Sequence, residues 1–352
     1  MIFLSGASGF IGSHALEELL KNKYKVRISL RKGSNTDNIK KFLDKVEVFY
    51  GDLSDRYFAE ECVKDSEYVI HIAGKVDTSV SSSKREEIIL SNYLTTNNIF
   101  SSALKAKVKK VVFLGSIFGL GKSKNKTPAD ENVEFNLYHL AKKIPYIRAK
   151  RMSEIMVDDF LEMGLPIVRV YPNFCIGKGD IYLSSSKAIL PFLNGVNIYF
   201  EGGINLQWVG DAAKALVLAL EKGKEGEKYL VGGENLTSEE IFEKVMKITG
   251  KEAKGRKISP SVFKIFFYLP QPILDIAERM LKRKIKLDIG SLMILTEKYW
   301  FYSDEKARRE LGYTSRPIDE TISEAVNWLK EFLKTKKEKG KNPNLKREDE
   351  TH

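Results

Sequence analysis

The first fourteen residues, MIFLSGASGFIGSH, constrain this chain more than any other stretch. Ile2, Phe3 and Leu4 form a short apolar run, Gly6, Gly9 and Gly12 come next at three-residue intervals, and a helical pattern begins near Phe10. The pattern reads as a buried strand ending in a tight turn and passing into a helix. The first N–H groups and the positive dipole end of that helix would face the turn, where a phosphate can sit. Gly6 then makes the turn, Gly9 lets a pyrophosphate approach the backbone, and Gly12 lets helix and strand pack closely. Ordinary strand-to-helix turns use glycine too, so the rest of the chain has to supply a sheet for this turn to belong to.

Short apolar runs recur at 26–30, 46–50, 68–72, 110–114, 165–170 and 228–231. Segments of helical spacing separate them, including 12–23 and 146–163. Alternation of this kind predicts an α/β fold, a doubly wound parallel sheet with helices on both faces. After Val170 the pattern loosens, with Pro172, Gly177, Gly179, Pro191, Gly195, Gly202 and Gly203 as punctuation, and helical spacing returns at 238–249. The expected organisation is a dinucleotide-binding domain over 1–170, to which 205–235 returns. A smaller, mainly helical substrate lobe over 171–204 and 236–332 would cover the sheet's C-terminal edge, where open α/β sheets bind ligands.

Composition narrows the class. With 352 residues, 43% of them hydrophobic, the chain can bury a substantial core. No apolar run approaches the length that crosses a membrane, and no charged lead precedes the first apolar segment, so a cytoplasmic protein without a signal peptide is expected. Cys62 and Cys175 supply neither a disulfide framework nor a metal-ligand pattern, and the four histidines are scattered, so no metal site is expected. The formal charge of +11 raises nucleic acid as a partner, but no basic run alternates with aromatics, and none is expected. Residues 333–352 mix seven Lys or Arg with four acids and almost no apolar residues, which reads as a disordered tail. The stretch 262–281, VFKIFFYLPQPILDIAERML, is aromatic and amphipathic, with Lys282, Arg283 and Lys284 after it. Closing a pocket or a subunit contact ranks first for it, and contact with a membrane surface second.

The chemistry lies between Ser116 and Lys150. Tyr146 and Lys150 are four residues apart, which on a helix puts both side chains on one face. A tyrosine is a poor base at neutral pH, but a fixed ammonium beside it favours the phenolate, so the pair can exchange a proton with an alcohol or a carbonyl. The same spacing occurs at Tyr138/Lys142 and Tyr302/Lys306. Pro145 separates the first of these from Tyr146, because proline suits the first turn of a helix and not its interior. Tyr302 precedes a charged segment, SDEKARREL, that reads as a solvated face. Ser116 comes after the strand KVVFL and one glycine, which places a hydroxyl at a strand's C-terminal end, where it can donate to a substrate oxygen.

Taken together, GASGFIG (6–12), GDLSD (51–55), HIAG (71–74), VVFLGS (111–116), YIRAK (146–150) and PNFCIGKGD (172–180) resemble the extended short-chain dehydrogenase/reductases, also called the NAD-dependent epimerase/dehydratase family. The resemblance covers about residues 1–332 and implies a Rossmann-type fold. It implies Ser116, Tyr146 and Lys150 as the catalytic trio. For the cofactor it implies Gly6, Ser8, Gly9, Phe10, Ile11 and Gly12 around the pyrophosphate, Asp52 and Leu53 beside the adenine, and Ala73, Gly74 and Asn92 along the dinucleotide. Lys150 would hold the nicotinamide ribose, with Tyr171, Pro172 and Asn173 near nicotinamide or substrate. Dimerisation through a four-helix contact including the Tyr146 helix is common in the family, so a homodimer is expected. Within the family the chain is most similar to dihydroflavonol 4-reductases and hopanoid-associated sugar epimerase-like proteins, which the segment 301–332 also resembles. Gly115 stands where Ser or Thr is usual, Thr95 replaces a common glycine, and Trp208 and Gly210 occupy positions often filled by His and Asp.

The end of the second strand bears on which dinucleotide binds. It reads SLRKGS, with Leu30 where relatives that prefer NAD place an acid, and Arg31 and Lys32 directly after it. Two cations suit a 2′-phosphate, so NADP(H) is the preferred cofactor and NAD(H) the alternative. The leading expectation is an NAD(P)-dependent oxidoreductase that interconverts a carbonyl and a secondary alcohol on a small molecule. A nucleoside-diphosphate-sugar epimerase is the second, and a non-catalytic NADP(H) sensor the third. Sugar dehydration is disfavoured, because Ile117 and Phe118 come after Ser116 where those relatives carry Asp-Glu.

Overall fold

The structure, a computed structural model, describes residues 1–285 and 288–341. The first half alternates strand and helix: β1 (Ile2–Ser5), α1 (Phe10–Lys21), β2 (Val26–Leu30), β3 (Glu47–Tyr50), α2 (Arg56–Val63), β4 (Tyr68–His71), α3 (Ser82–Ala106) and β5 (Lys110–Leu114). Then come α4 (Ile117–Leu120), α5 (Tyr138–Lys143), α6 (Pro145–Glu162) and β6 (Ile167–Pro172). Pro145 occupies the first turn of α6 and divides it from α5, as its missing N–H dictates.

Seven strands form the main sheet, all parallel, in the order β3-β2-β1-β4-β5-β6-β10, where β10 is Lys228–Val231. This is the Rossmann-like doubly wound sheet. Side-chain alternation feeds two cores. Ile2 and Leu4 face α1 and the later helix α8 (Val209–Lys222), while Phe3 faces the side of α2, α3 and α6 with Val69, Phe100 and Val157. Strand order reverses between β1 and β4, so the loops after these two strands flank one crevice.

The second half adds β7 (Phe174–Ile176), α7 (Leu190–Leu193), β8 (Ile198–Phe200), β9 (Gly203–Trp208), β11 (Glu234–Thr237), α9 (Ser238–Thr249) and β12 (Arg256–Ile258). The 3₁₀ segment Pro260–Phe267, α10 (Gln271–Ile285), α11 (Ile289–Leu295), β13 (Tyr299–Trp300), α12 (Glu305–Leu311) and α13 (Ile318–Lys341) complete the chain. Helix α9 matches the expected 238–249: Thr237 and Glu240 form a reciprocal cap, and Gly250 ends the helix at φ 65°. Strand β9 pairs with β7, β11 and β13 in a second sheet, and β8 pairs with β12.

Two expected boundaries shift. Most of β9 lies within 205–235 yet belongs to the second sheet, leaving α8 and β10 as the elements that return to the main one. Ala307, Leu311 and Tyr313 around α12 join the main core, although the sequence pattern places 236–332 in the lobe. The tail is corrected as well. Helix α13 continues through Lys341, so the first part of the expected disordered segment is helical, and 342–352 lie outside the described residues. Among the described residues no helix is long and apolar enough to cross a membrane, and no cluster of His, Cys, Asp and Glu could hold a metal ion.

Candidate active site

The glycine loop leaves β1 and meets the end of β4. Gly6 has φ +74°, and a side chain there would press its Cβ to 2.8 Å from the Ala73 nitrogen. A Cβ on Gly12 would strike the Gly6 carbonyl. These two glycines are required by the protein's own packing. Gly9 differs: a Cβ there meets only the Gly6 carbonyl, at 3.2 Å. Gly9 is also the N-cap of α1, has no side-chain cap, and leads into a first turn without acids, so the opening N–H groups of Phe10 and Ile11 are left for an anion. Ser8 sits half-buried in the same turn. This cradle fits a dinucleotide pyrophosphate.

A buried polar chain fixes the crevice floor. The Ser5 hydroxyl accepts from the backbone N–H groups of Ile72 (3.0 Å) and Ala73 (3.1 Å) and lies 2.7 Å from His71 Nδ1. With its lone pairs so engaged, Ser5 donates to Nδ1, and His71 Nε2 donates to Thr96 Oγ1 at 3.2 Å. Thr96 in turn donates to the Asn92 carbonyl at 2.9 Å. Burial lowers the His71 pKa to about 3, with Lys150 adding to the effect, so the ring is neutral. The chain ties β1, β4 and α3 together beside Gly74. A Cβ on Gly74 would lie 2.9 Å from Asn92 Oδ1 and 3.2 Å from Lys150 Nζ, so Gly74, Asn92 and Lys150 converge on one spot.

At the adenine end, Arg31 and Lys32 are exposed beyond β2. Asp52 lies within electrostatic reach of Arg31; its carboxyl is held below the usual range, chiefly by the Ser54 backbone N–H. Leu53 packs into the core with its carbonyl accepting from Asn98.

Ser116 caps α4 at the end of β5, its hydroxyl accepting from the Phe118 N–H at 3.3 Å. Tyr146 stands opposite in the first turn of α6, 6% exposed. Burial raises its phenol to about 12, and a side-chain hydrogen bond with Ser116 pulls the other way. Lys150 Nζ lies 5.7 Å from the centre of the Tyr146 ring. Burial lowers its pKa to about 8, opposed by the charge of Glu154, so the ammonium is the main form at neutral pH. The competing pairs point elsewhere. Tyr138 is 62% exposed, and the buried Tyr302 donates to the Gly121 carbonyl while Lys306 pairs with Glu227.

Tyr171 departs from its expected place along the cofactor. Its ring is fully buried and its hydroxyl donates to Glu154 Oε2 at 2.5 Å, behind the site. Pro172 ends β6. The buried Asn173 donates to the Val231 carbonyl at 3.1 Å, and its Oδ1 has no partner among the described residues, which leaves an acceptor for a bound amide or hydroxyl.

Sequence reasoning missed the walls. Phe118 packs edge-on against Tyr146 (6.0 Å between ring centres), Trp300 (5.0 Å) and Phe174 (6.2 Å). Leu274 of α10 and Ile289 and Met293 of α11 belong to the same apolar cluster as Tyr146. No motif marks these residues, because they come from separate segments. Glu154 was also missed, although it stands four residues after Lys150 on the same helical face.

Residues 2–232 match the model of the NAD dependent epimerase/dehydratase family. A relative named "Putative dihydroflavonol 4-reductase", from Synechocystis sp., is 28% identical over 341 residues, covering 95% of this chain and 96% of its own. Sterol demethylase protein B of Methylococcus capsulatus is 27% identical over 332 residues, covering 93% of this chain and 98% of its own. The crystal structure of gox2253 superimposes with a TM-score of 0.78 at 29% identity, covering 94% of this chain and 98% of that one. With a family match over well beyond half its length, laid on a glycine-loop Rossmann sheet, this chain belongs to the NAD dependent epimerase/dehydratase family and is an enzyme of the extended short-chain dehydrogenase/reductase type.

Proposed function

We propose that this enzyme interconverts a ketone and a secondary alcohol on an apolar, ring-bearing substrate, with NADP(H) preferred over NAD(H). The observation that carries the reading is the pair of half-buried rings Phe118 and Phe174 beside Tyr146, backed by the buried Trp300, surroundings that suit a hydrophobic ring better than a hydroxyl-rich one. The names of two relatives, a dihydroflavonol reductase and a sterol demethylase protein, point the same way.

A bound nicotinamide dinucleotide supplies or accepts the hydride. In the reduction direction Tyr146 gives its phenolic proton to the substrate oxygen, and Ser116 donates a hydrogen bond to that oxygen. Lys150, charged below about pH 8, stabilises the phenolate left behind. Oxidation runs the same steps backwards and needs the phenolate first. Arg31 and Lys32 support the choice of NADP(H) as exposed cations beyond β2. Exposed Leu90, Tyr93 and Leu94 on α3 and Ile155 on α6 support a homodimer through those helices, and a cytoplasmic site of action completes the reading.

Tyr146→Phe tests the assignment. Turnover should fall by roughly 10²- to 10⁴-fold with cofactor binding retained. Unchanged turnover would remove Tyr146 from the chemistry. Cofactor that co-purifies and is recycled without net consumption on a nucleotide sugar would instead favour the epimerase reading.

A further inference from the structure

The stretch 262–281 has two unlike sides. In the 3₁₀ segment, where residues three apart share a face, Val262, Ile265 and Tyr268 are all exposed, Tyr268 to 83%. Phe263, Phe266 and Leu269, one position on, are half-buried. Helix α10 repeats the division at helical spacing. Ile273, Ile276 and Met280 are exposed, whereas Leu274 and Glu278 are buried. The inner row is accounted for by Leu274 in the Tyr146 cluster and by Glu278, which accepts from Ser79 and from the Ile289 N–H. The outer row is a set of large apolar side chains facing solvent, more than scattered surface hydrophobes require.

Cations outnumber acids around that row, with Lys264, Arg279, Lys282 and Arg283 against Asp275 and Glu278. Lys264, Arg279 and Arg283 are exposed on the same two elements. The acids there are engaged: Asp275 accepts from the Ser82 backbone and hydroxyl, and Glu278 pairs with Lys282 at 3.0 Å. Lys264 also lines a cleft of about 480 Å³ with Lys122, Lys124, Lys126, Lys298 and a single acid, Glu297. Glu297 is taken by His139 and Lys122, and Lys298 pairs with Glu201. Lys124, Lys126 and Lys264 form no ion pair among the described residues.

We infer that this face docks the enzyme on an anionic lipid bilayer. Val262, Ile265, Tyr268, Ile273, Ile276 and Met280 enter the headgroup and acyl boundary, and the lysine cleft holds lipid phosphates. Apolar residues beside uncompensated cations are the combination that interfacial binding requires. A second copy of this chain would bring the same cations against themselves, which disfavours it as the occupant. The docked element is also the one whose inner face, through Leu274, joins the apolar cluster that contains Tyr146.

Flotation of the full-length protein with vesicles tests this directly. Recovery on equimolar phosphatidylcholine–phosphatidylglycerol vesicles should exceed that on phosphatidylcholine alone by ~10-fold or more, and should fall as salt rises. Ile265→Asp/Ile276→Asp should abolish flotation, and Lys124→Glu/Lys264→Glu should reduce it by ~10-fold, with melting curves of both variants unchanged. No flotation of the wild type on anionic vesicles overturns the proposal. So does flotation that both variants retain, or an oligomer that Ile265→Asp/Ile276→Asp dissolves in a protein that never binds vesicles. None of these outcomes depends on turnover, so a failure here leaves the reductase reading standing.

Discussion

The crevice between β1 and β4 and the apolar cluster around Tyr146 are made in opposite ways. The crevice is backbone chemistry. Glycines let main chain approach main chain, α1 offers unpaired N–H groups, and a buried Ser5–His71–Thr96 chain holds the strands in place. The cluster is side-chain chemistry, in which Phe118, Phe174, Trp300 and Leu274 meet from separate segments. A backbone site tolerates few substitutions and binds what all dinucleotides share. A side-chain site can be rebuilt residue by residue for a new substrate while the crevice stays unchanged.

Four substitutions can break or sharpen that contrast, in descending order of expected effect. Gly12→Ala and Gly9→Ala should separate folding from binding. The first drives a methyl into the Gly6 carbonyl and should destabilise the fold by roughly 3 kcal/mol or more, read as a lowered melting temperature. Gly9→Ala should keep its melting temperature and lose about 10- to 100-fold in cofactor affinity; equal loss of stability in both would erase the distinction. Trp300→Ala should lower kcat/KM about tenfold for bulky apolar ketones and leave cofactor affinity alone. A matching fall for small ketones would mean that Trp300 serves the fold and not the substrate. Arg31→Ala should weaken NADP(H) binding by about 1.4 kcal/mol and spare NAD(H). Wild-type protein that binds NAD(H) more tightly would end the proposed preference.

A last test, outside that ranking, is one of pH. His71 is neutral in the folded protein, with its pKa lowered to about 3 from 6.5. Below pH 6.5 the unfolded chain takes up a proton that the folded chain refuses, so stability falls as the pH drops towards 3. The loss is about 1.4 kcal/mol for each pH unit well below 6.5. His71→Gln should be less stable at neutral pH and lack that share of the acid slope. An identical slope in melting experiments would show that other groups govern it.

The same contrast explains what was legible in the sequence. GASGFIG, Ser116 and the Tyr146–Lys150 spacing are local patterns, because turn geometry and helical periodicity act over a few residues. In the sequence, Pro145 separates the Tyr146/Lys150 pair from Tyr138/Lys142. The aromatic wall was illegible, since nothing near Trp300 in sequence signals that a β-strand of a second sheet will carry it to Phe118. Tyr171 was misplaced for a related reason: its neighbours in sequence point to the cofactor, whereas its partner Glu154 sits on α6. In the tail, composition suggests disorder, yet the apolar positions Val326 and Leu329 that anchor α13 lie upstream, and the helix runs on to Lys341.

Gly115 is sterically coupled to the Tyr171–Glu154 pair. A side chain at that position would put its Cβ 2.5 Å from the Tyr171 ring and 3.1 Å from Glu154 Oε1. A side chain at Gly115 therefore calls for a shift of the Tyr171 ring. Losing either Tyr171 or Glu154 leaves the other's buried polar group without its partner. The three positions are therefore coupled, and the effects of substitutions at them should not add.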